Sequence, residues 1–229
     1  MAGSRRPWML VQHAVSEGAG LIATALERAG IEQTVFRTDL GEPLPNERAI
    51  RTLGGLVVLG GAMSVHDVHD HPWLVAERDL LASATSEGLT VLGVCLGAQQ
   101  LAMALGAEVT TGSLPEIGPG QVMLTAEGLE DPVLGPAGPA FPCMHWHADT
   151  FAIPEGGVRL SGNAMFANQA FRYGERAYGL QFHVELDAAQ AETWSTELPA
   201  GVTIPDEAQA RIEEIGTGII ERLVALADR

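Results

Sequence analysis

Cys95 is the residue whose surroundings most clearly indicate chemistry. It follows an apolar run at 90–94, has Gly93 and Gly97 two positions away on either side, and precedes a helix-compatible run at 99–105. Small flanking residues let a strand turn sharply into a helix and hold a nucleophile out of the sheet. The start of a helix also favours a thiolate, because free backbone N–H groups and the positive end of the helix dipole face it. The spacing therefore predicts a cysteine nucleophile.

A base and a group that can orient it occur together late in the chain. His183 and Glu185 are two positions apart, so a strand predicted at 178–183 and continuing as extended chain would place both side chains on one face. The histidine can accept the thiol proton and later give it to a leaving amine, while the glutamate stabilises the imidazolium. These residues predict a Cys95, His183 and Glu185 triad. The other cysteine, Cys143, is expected to be an inert core residue.

The first half of the chain alternates between strands and helices. A strand at 8–11, a helix over 21–29 and a strand at 31–36 form a βαβ unit, which implies parallel strands. An apolar strand at 55–59 and the strand before Cys95 extend this pattern. Further helices are predicted after Pro72, over 188–196, and along a C-terminal apolar stripe of Ile212, Ile215, Ile219, Leu223 and Leu226.

The region 108–171 has a different pattern, with short extended pieces separated by Gly and Pro. This pattern favours a more antiparallel, loop-rich part. We therefore predict an α/β protein with a doubly wound, mostly parallel central sheet, flanking helices, a nucleophile elbow and a small antiparallel extension. A single domain over 1–229 is expected, because no linker-like stretch divides the chain.

Composition excludes several classes of function. The net charge is -16, from 29 acidic and 13 basic residues, and every basic residue is arginine. Without lysine, Schiff-base chemistry is excluded, and the acidity argues against a nucleic-acid partner. No apolar run approaches the roughly 20 residues that span a bilayer. With two cysteines in all, we expect a cytoplasmic protein with a free thiol and no cofactor.

Two groups of histidines have spacings that could chelate a metal. His145, His147 and Asp149 alternate along one predicted strand, and the polar loop 66–71 holds three more histidines. No metal is expected at either group. The loop is interpreted as a solvated segment near the mouth of the site.

Three separated motifs together resemble those of the class I glutamine amidotransferases. They are Gly-Val-Cys-Leu-Gly-Ala-Gln at 93–99, two glycines at 60–61 after a strand, and Gln-Phe-His-Val-Glu at 181–185. Segments 145–151 and 168–171 are most similar to the stand-alone, GMP-synthase-type members. The likeness runs in order from about residue 8 to residue 185, and it implies the flavodoxin-like fold of that family.

The resemblance implies a role for each matched residue. Cys95 would attack the side-chain amide of glutamine, giving a γ-glutamyl thioester and ammonia for a separate synthetase. The backbone N–H groups of Gly61 and Leu96 would form the oxyanion hole. The residues expected to hold the substrate are Gly60, Gln99, His147 and Asp149.

Three positions depart from the family pattern. Val184 and Ala62 stand where relatives often have proline, and Ala148 stands where glycine is common. If position 148 requires a positive φ, alanine there would cost about 1 kcal/mol. None of the departures removes a catalytic group.

Three alternatives remain open at this stage. The same triad could serve a stand-alone hydrolase of γ-glutamyl peptides or amines. The chain could also be a catalytically silent regulatory subunit that keeps the fold. A third, more distant alternative is the branch of cysteine-elbow proteins that includes intracellular protease-like members.

Overall fold

A nine-stranded sheet runs through the protein, seen in a computed structural model that describes residues 5–228. Residues 1–4 and 229, which the single-domain prediction includes, lie outside the described residues. The strand order is β2-β1-β3-β4-β9-β8-β7-β5-β6. The strands are β1 (Trp8–Gln12), β2 (Gln33–Arg37), β3 (Gly55–Val58), β4 (Thr90–Val94), β5 (Val109–Leu124), β6 (Ala140–Phe151), β7 (Gly157–Gly162), β8 (Ala170–Tyr173) and β9 (Ala177–Leu180).

Five strands form a parallel half of the sheet. β1 pairs with β2 and β3, β3 pairs with β4, and β4 pairs with β9, all in parallel. Every residue of β3 and β4 is buried, as expected for apolar strands covered on both faces. The predicted βαβ unit is confirmed.

Helices cover both faces of this half. The helices are α1 (Gly20–Arg28), α2 (Glu47–Ile50), α3 (Trp73–Ser86), α4 (Leu96–Ala104), α5 (Ala126–Glu130), α6 (Ala188–Glu197) and α7 (Asp206–Ala225). One apolar cluster joins the sheet to α1 and α7, and a second joins its other face to α3 and α4. This two-sided covering is the doubly wound arrangement predicted from the sequence. No described helix combines the length and the apolar character that crossing a membrane requires.

The antiparallel half is larger than predicted. β9 pairs with β8, β8 with β7, β7 with β5, and β5 with β6, all antiparallel. Half of the strand pairings between residues 5 and 228 are therefore antiparallel, and the prediction of a small extension is wrong. The glycines and prolines suggested chain breaks, but a register shift between Thr111 and Glu116 accommodates Gly112 and Pro115, Pro119 pairs in register with Met144, and Pro142 lies on the edge strand β6.

The predicted strand at 178–183 is also too long. β9 ends at Leu180, and His183 forms an isolated antiparallel bridge with Met144. The reason lies in β4: its chain turns away at Cys95, whose N–H donates to the Leu180 carbonyl at 2.8 Å. After Leu180, β9 has no further residue of β4 to pair with. The chain that follows β9 therefore pairs with β6, through the bridge between His183 and Met144.

Candidate functional site

Cys95 sits at a tight turn between β4 and α4. Its φ is +51°, and it is the only non-glycine residue with a positive φ in the described chain. A Cβ on Gly93 would lie 2.3 Å from the Gly97 carbonyl oxygen, and a Cβ on Gly97 would lie 2.0 Å from the Val58 carbonyl oxygen. Glycine is therefore required at both positions for the helix to start so close to the strand. Strained backbone of this kind is often found at functional sites.

His183 and Glu185 form a buried hydrogen-bonded pair. The Nδ1 atom of His183 lies 2.6 Å from Oε1 of Glu185, and the His183 side chain is fully buried. The ring packs edge-on against Trp194, with centroids 4.8 Å apart. Since Nδ1 is engaged by the carboxylate, Nε2 is the nitrogen that remains for the thiol.

The environment of His183 favours its charged form. Burial disfavours the imidazolium, but the Glu185 carboxylate and the Cys95 side chain outweigh burial, so the pKa of His183 is raised well above its ordinary value. Sγ of Cys95 donates to the Trp146 carbonyl oxygen at 3.7 Å, and Nε2 of His183 is buried without a hydrogen-bond partner among the described residues. The arrangement can store the proton of Cys95 on His183.

A cavity of about 470 Å³ opens in front of Cys95. Four other predicted site residues line it with the cysteine: Gly61, Gln99, His147 and Asp149. Its remaining lining residues are Ala62, Met63, Ser64, Asp67, Pro115, Ile117, Trp146 and Ala148.

The two glycines after β3 pack against His183 and α4. A Cβ on Gly60 would lie 3.1 Å from the His183 ring, and a Cβ on Gly61 would lie 2.9 Å from the side chain of Leu96. The residues predicted for the oxyanion hole, Gly61 and Leu96, are thus neighbours. The close approach explains why this loop is built from glycine.

Two of the predicted substrate residues also hold the cavity wall together. The Gln99 amide nitrogen lies 3.2 Å from Oε1 of Gln181, and Asp149 accepts hydrogen bonds from Ser64 at 2.9 Å and Thr111 at 2.7 Å. Ala148 lies in β6 without a positive φ. Alanine therefore carries no backbone strain at that position.

Sequence reasoning missed a buried ion pair behind the glycine loop. His13, just after β1, lies 2.8 Å from the Gly60 carbonyl oxygen through Nδ1 and 2.7 Å from Glu77 through Nε2. Both side chains are fully buried, and the His13 ring stacks on Trp73. The available signal was Glu77 itself, a charged residue within the apolar stripe of α3. The pair ties the glycine loop to α3.

We expect Glu77→Gln to destabilise the fold in a pH-dependent manner. Burial alone would lower the pKa of His13, but Glu77 and the Gly60 carbonyl outweigh it and the pKa is raised. Stability from this charge is therefore fully present below the unfolded pKa of about 6.5 and is lost as the pH rises through the raised folded pKa. The substitution should cost about 2–3 kcal/mol at pH 6 and less at pH 9, as measured by urea unfolding.

The control for this prediction is Glu87→Gln at the end of the same helix. Glu87 pairs with Arg51 at 3.2 Å, and both side chains are exposed, so its loss should cost under about 1 kcal/mol. An equal cost of Glu77→Gln at pH 6 and pH 9 would contradict the assignment of a charged pair.

A second feature missed from the sequence is an acidic side chain beside the triad. A Cβ on Gly60 would lie 2.3 Å from Oε2 of Glu17, and burial raises the pKa of Glu17. Glu17 lines a smaller cavity of about 140 Å³ with Ser16, Trp194 and Glu197. This cavity shares Gly61, Ala62 and Trp146 with the larger one. No motif marked Glu17 in advance.

The histidine groups are arranged differently from the expectation. Asp149 is engaged by Ser64 and Thr111, whereas Glu116 of β5 lies beside His145 and His147. Burial, partly offset by Glu116, lowers the pKa of His145 to about 4. In the loop after β3, His66 and His69 are exposed. Cys143 is fully buried, and burial raises the pKa of its thiol.

Comparison with known proteins identifies the family. The model of the class-I glutamine amidotransferase family matches residues 17–194, so the chain belongs to the class I glutamine amidotransferases. Among solved structures, a glutamine amidotransferase from Methylobacillus flagellatus is similar, with a TM-score of 0.86 and 30% identity, over 97% of this chain and 94% of that one.

Curated relatives include a glutamine amidotransferase-like protein and GMP synthases. The glutamine amidotransferase-like protein YfeJ of Salmonella typhimurium is 31% identical over 80% of this chain and 77% of its own length. One subunit of the glutamine-hydrolysing GMP synthase of Methanoculleus marisnigri is 31% identical over 72% of this chain and 82% of that protein. The chain spans 34% of the length of the GMP synthase of Aeropyrum pernix, to which it is 29% identical over 80% of this chain.

Proposed function

We propose that this protein is a glutaminase of the triad type, which hydrolyses a γ-glutamyl amide through a thioester on Cys95. One observation carries the proposal: Cys95, at the strained turn before α4, lies at the cavity wall, its N–H bonds to the Leu180 carbonyl three residues before His183, and the buried His183 pairs with Glu185. A nucleophile, a base and an orienting carboxylate in this order are the parts that acyl transfer requires. We treat the chain as one amidotransferase domain over 1–229.

The proposed reaction runs in two stages. The proton of Cys95 is held on Nε2 of His183 before the reaction, the thiolate sulfur attacks the amide carbon, and the carbonyl oxygen becomes an oxyanion. The carbon–nitrogen bond then breaks, and His183 gives the proton to the departing nitrogen, which leaves as ammonia. In the second stage His183 takes a proton from water, the hydroxide attacks the thioester carbon, and Cys95 leaves as the thiolate beside protonated His183 while glutamate is released.

The nucleophile elbow and the glycine loop have proposed roles in this reaction. The backbone N–H groups of Gly61 and Leu96 would donate to the oxyanion, which is supported by the contact between these two residues. In the cavity, Asp149 would attract the α-ammonium group of the substrate, and Gly60, Gln99 and His147 would shape its walls. Glu185 would keep Nδ1 of His183 protonated throughout.

The released nitrogen has two possible fates. In the leading version, ammonia passes to a separate synthetase, which is supported by the similarity to one subunit of a GMP synthase. We place this glutaminase and its synthetase in the cytoplasm, because a reducing compartment keeps the Cys95 thiol free. The partner would bind near the cavity mouth, where it could collect ammonia before the ammonia reaches solvent.

A second candidate, hydrolysis of γ-glutamyl amine conjugates, is favoured by the cavity. Its volume of about 470 Å³ lies in the range of about 300–1,000 Å³ that accommodates drug-sized ligands. Asp67 and Asp149 both line it, and no arginine among the described residues does. An acidic cavity with room beyond the amide nitrogen would suit a cationic amine as leaving group.

The experiment compares glutamine with γ-glutamyl conjugates of diamines and of neutral amines. We expect glutamate release from at least one substrate, and a γ-glutamyl electrophile should label Cys95. A preference of tenfold or more in kcat/KM for a diamine conjugate would favour the second candidate. No glutamate from any substrate, together with no labelling of Cys95, would instead indicate the silent regulatory role.

A further inference from the structure

Three potential ligand atoms converge between β5 and β6, outside the triad. Oε2 of Glu116 lies 3.4 Å from Nδ1 of His145 and 3.3 Å from Nε2 of His147. The three atoms all lie within 4.8 Å of one another, and both imidazoles are buried. Glu116 and His147 are direct partners across the two strands, and His145 follows two residues away on the same face. The fold therefore holds the donors in place without a loop.

The two separations from the carboxylate oxygen match the edges of a tetrahedral coordination sphere, whereas the imidazole nitrogens, within 4.8 Å of each other, would move closer on binding. With bonds of about 2.0–2.1 Å, neighbouring ligand atoms of a tetrahedral zinc site lie about 3.3–3.4 Å apart. Both contacts of the carboxylate oxygen with the imidazole nitrogens have this length. Two histidines and one carboxylate are also a donor set that N- and O-binding transition metals use.

The hydrogen bonds around these ligand atoms leave no hydrogen-bond donor or cation from the described residues between them. Nδ1 of His147 lies 3.0 Å from the Asp149 carbonyl oxygen, and because a carbonyl can only accept, Nδ1 carries the proton. Nε2 of a neutral His147 then presents a lone pair to the Glu116 carboxylate. In the described chain, His145 Nδ1 and His147 Nε2 are buried without a hydrogen-bond partner. A cation would satisfy the carboxylate and Nε2 of His147, and also Nδ1 of His145 in the tautomer whose Nε2 carries its proton beside Sγ of Cys143, 3.3 Å away.

Outer contacts hold the donors in the orientation that a metal needs. Gln169 donates to Oε2 of Glu116, and Asn163 donates to Oε1, both at 2.7 Å. A Cβ at position 120 would lie 2.7 Å from the His145 ring, so Gly120 leaves the space that this ring occupies. Such hydrogen-bonded carboxylates and carbonyl-anchored histidines are typical outer partners of metal ligands.

We propose that Glu116, His145 and His147 bind one divalent transition-metal ion of the Zn²⁺ type. The three residues would supply three ligands, with water as the fourth. His147 also lines the cavity in front of Cys95, so the ion would fix that wall and join β5 to β6. The role is structural, and no step of the proposed hydrolysis passes through the metal.

The test titrates chelator-treated, tag-free protein with Co²⁺ and then with Zn²⁺. We expect one equivalent of Co²⁺ to give the visible absorption of a four-coordinate site, and Zn²⁺ to abolish it by displacement. Glu116→Gln and His147→Gln should each weaken binding by about 100-fold or more. Zn²⁺ should also raise the Tm of the wild type but not of Glu116→Gln.

Matched controls separate this site from other donors. His69→Gln removes an exposed imidazole, and Cys95→Ser removes the thiol at the cavity; both should bind Co²⁺ as the wild type does. Failure of the folded wild type to bind Co²⁺ and Zn²⁺ would overturn the proposal. Unchanged affinity in the folded Glu116 and His147 variants would also overturn it.

Discussion

A Cys95→Ala variant is expected to lose glutamate release by a factor of about 10⁴ or more. The methyl group cannot form the thioester, so the reaction would have to proceed by direct attack of water, with help only from the oxyanion donors. The loss should appear in kcat, since the cavity residues that hold the substrate are unchanged. Glutamate release from the best substrate of the panel, followed at saturating concentration, measures it.

The matched control is the other cysteine of the chain. Cys143 is fully buried in β6, away from the cavity lining, so Cys143→Ala should keep kcat within a few-fold and should still be labelled at Cys95 by the electrophile. Circular dichroism confirms folding of both variants. Retained glutamate release in Cys95→Ala would exclude the thioester mechanism.

Glu185→Gln is expected to lower kcat by about 10³–10⁴, by analogy with the loss of the orienting aspartate in serine proteases. The carboxylate lies 2.6 Å from Nδ1 of His183 and is a main reason why the pKa of that ring is raised. An amide in its place is neutral, so it stabilises the imidazolium poorly. The pKa of His183 should fall, and Cys95 should transfer its proton to the ring less readily.

Two measurements separate this positioning role from a general loss of structure. The rate of alkylation of Cys95 at neutral pH should fall in Glu185→Gln, and the pH dependence of that rate should change. Glu192→Gln, which alters an exposed glutamate of α6, should change neither quantity. Wild-type alkylation kinetics in folded Glu185→Gln would contradict the proposed ion pair.

Local patterns predicted the parts of the site that depend on short stretches of chain. Gly93, Cys95 and Gly97 specify a turn through steric constraints within a few residues, and the structure places Cys95 at that turn. His183 and Glu185 are hydrogen-bonded, and they are only two positions apart in the sequence. The alternation of apolar strands and amphipathic helices likewise predicted the parallel half, since both periods are local properties.

The remaining features depend on pairing between distant segments. The register shift that brings Glu116 opposite His147 leaves no local signal, so the sequence suggested Asp149 as the companion of the histidines. The end of β9 at Leu180 depends on where β4 turns away. The pair of His13 and Glu77 spans 64 positions, so no local pattern identifies either residue as the partner of the other.

The position of β9 in the sheet has a consequence for synthesis of the protein. Residues 91–94 of β4 pair with residues 177–180 of β9. During synthesis this edge of β4 therefore stays unpaired until more than 80 further residues have left the ribosome. Closing so long a segment slows folding, and an unpaired apolar edge invites aggregation in the meantime. The same late pairing bonds the Cys95 N–H to the Leu180 carbonyl, so in the proposed mechanism the thiol has no base beside it until β9 pairs with β4.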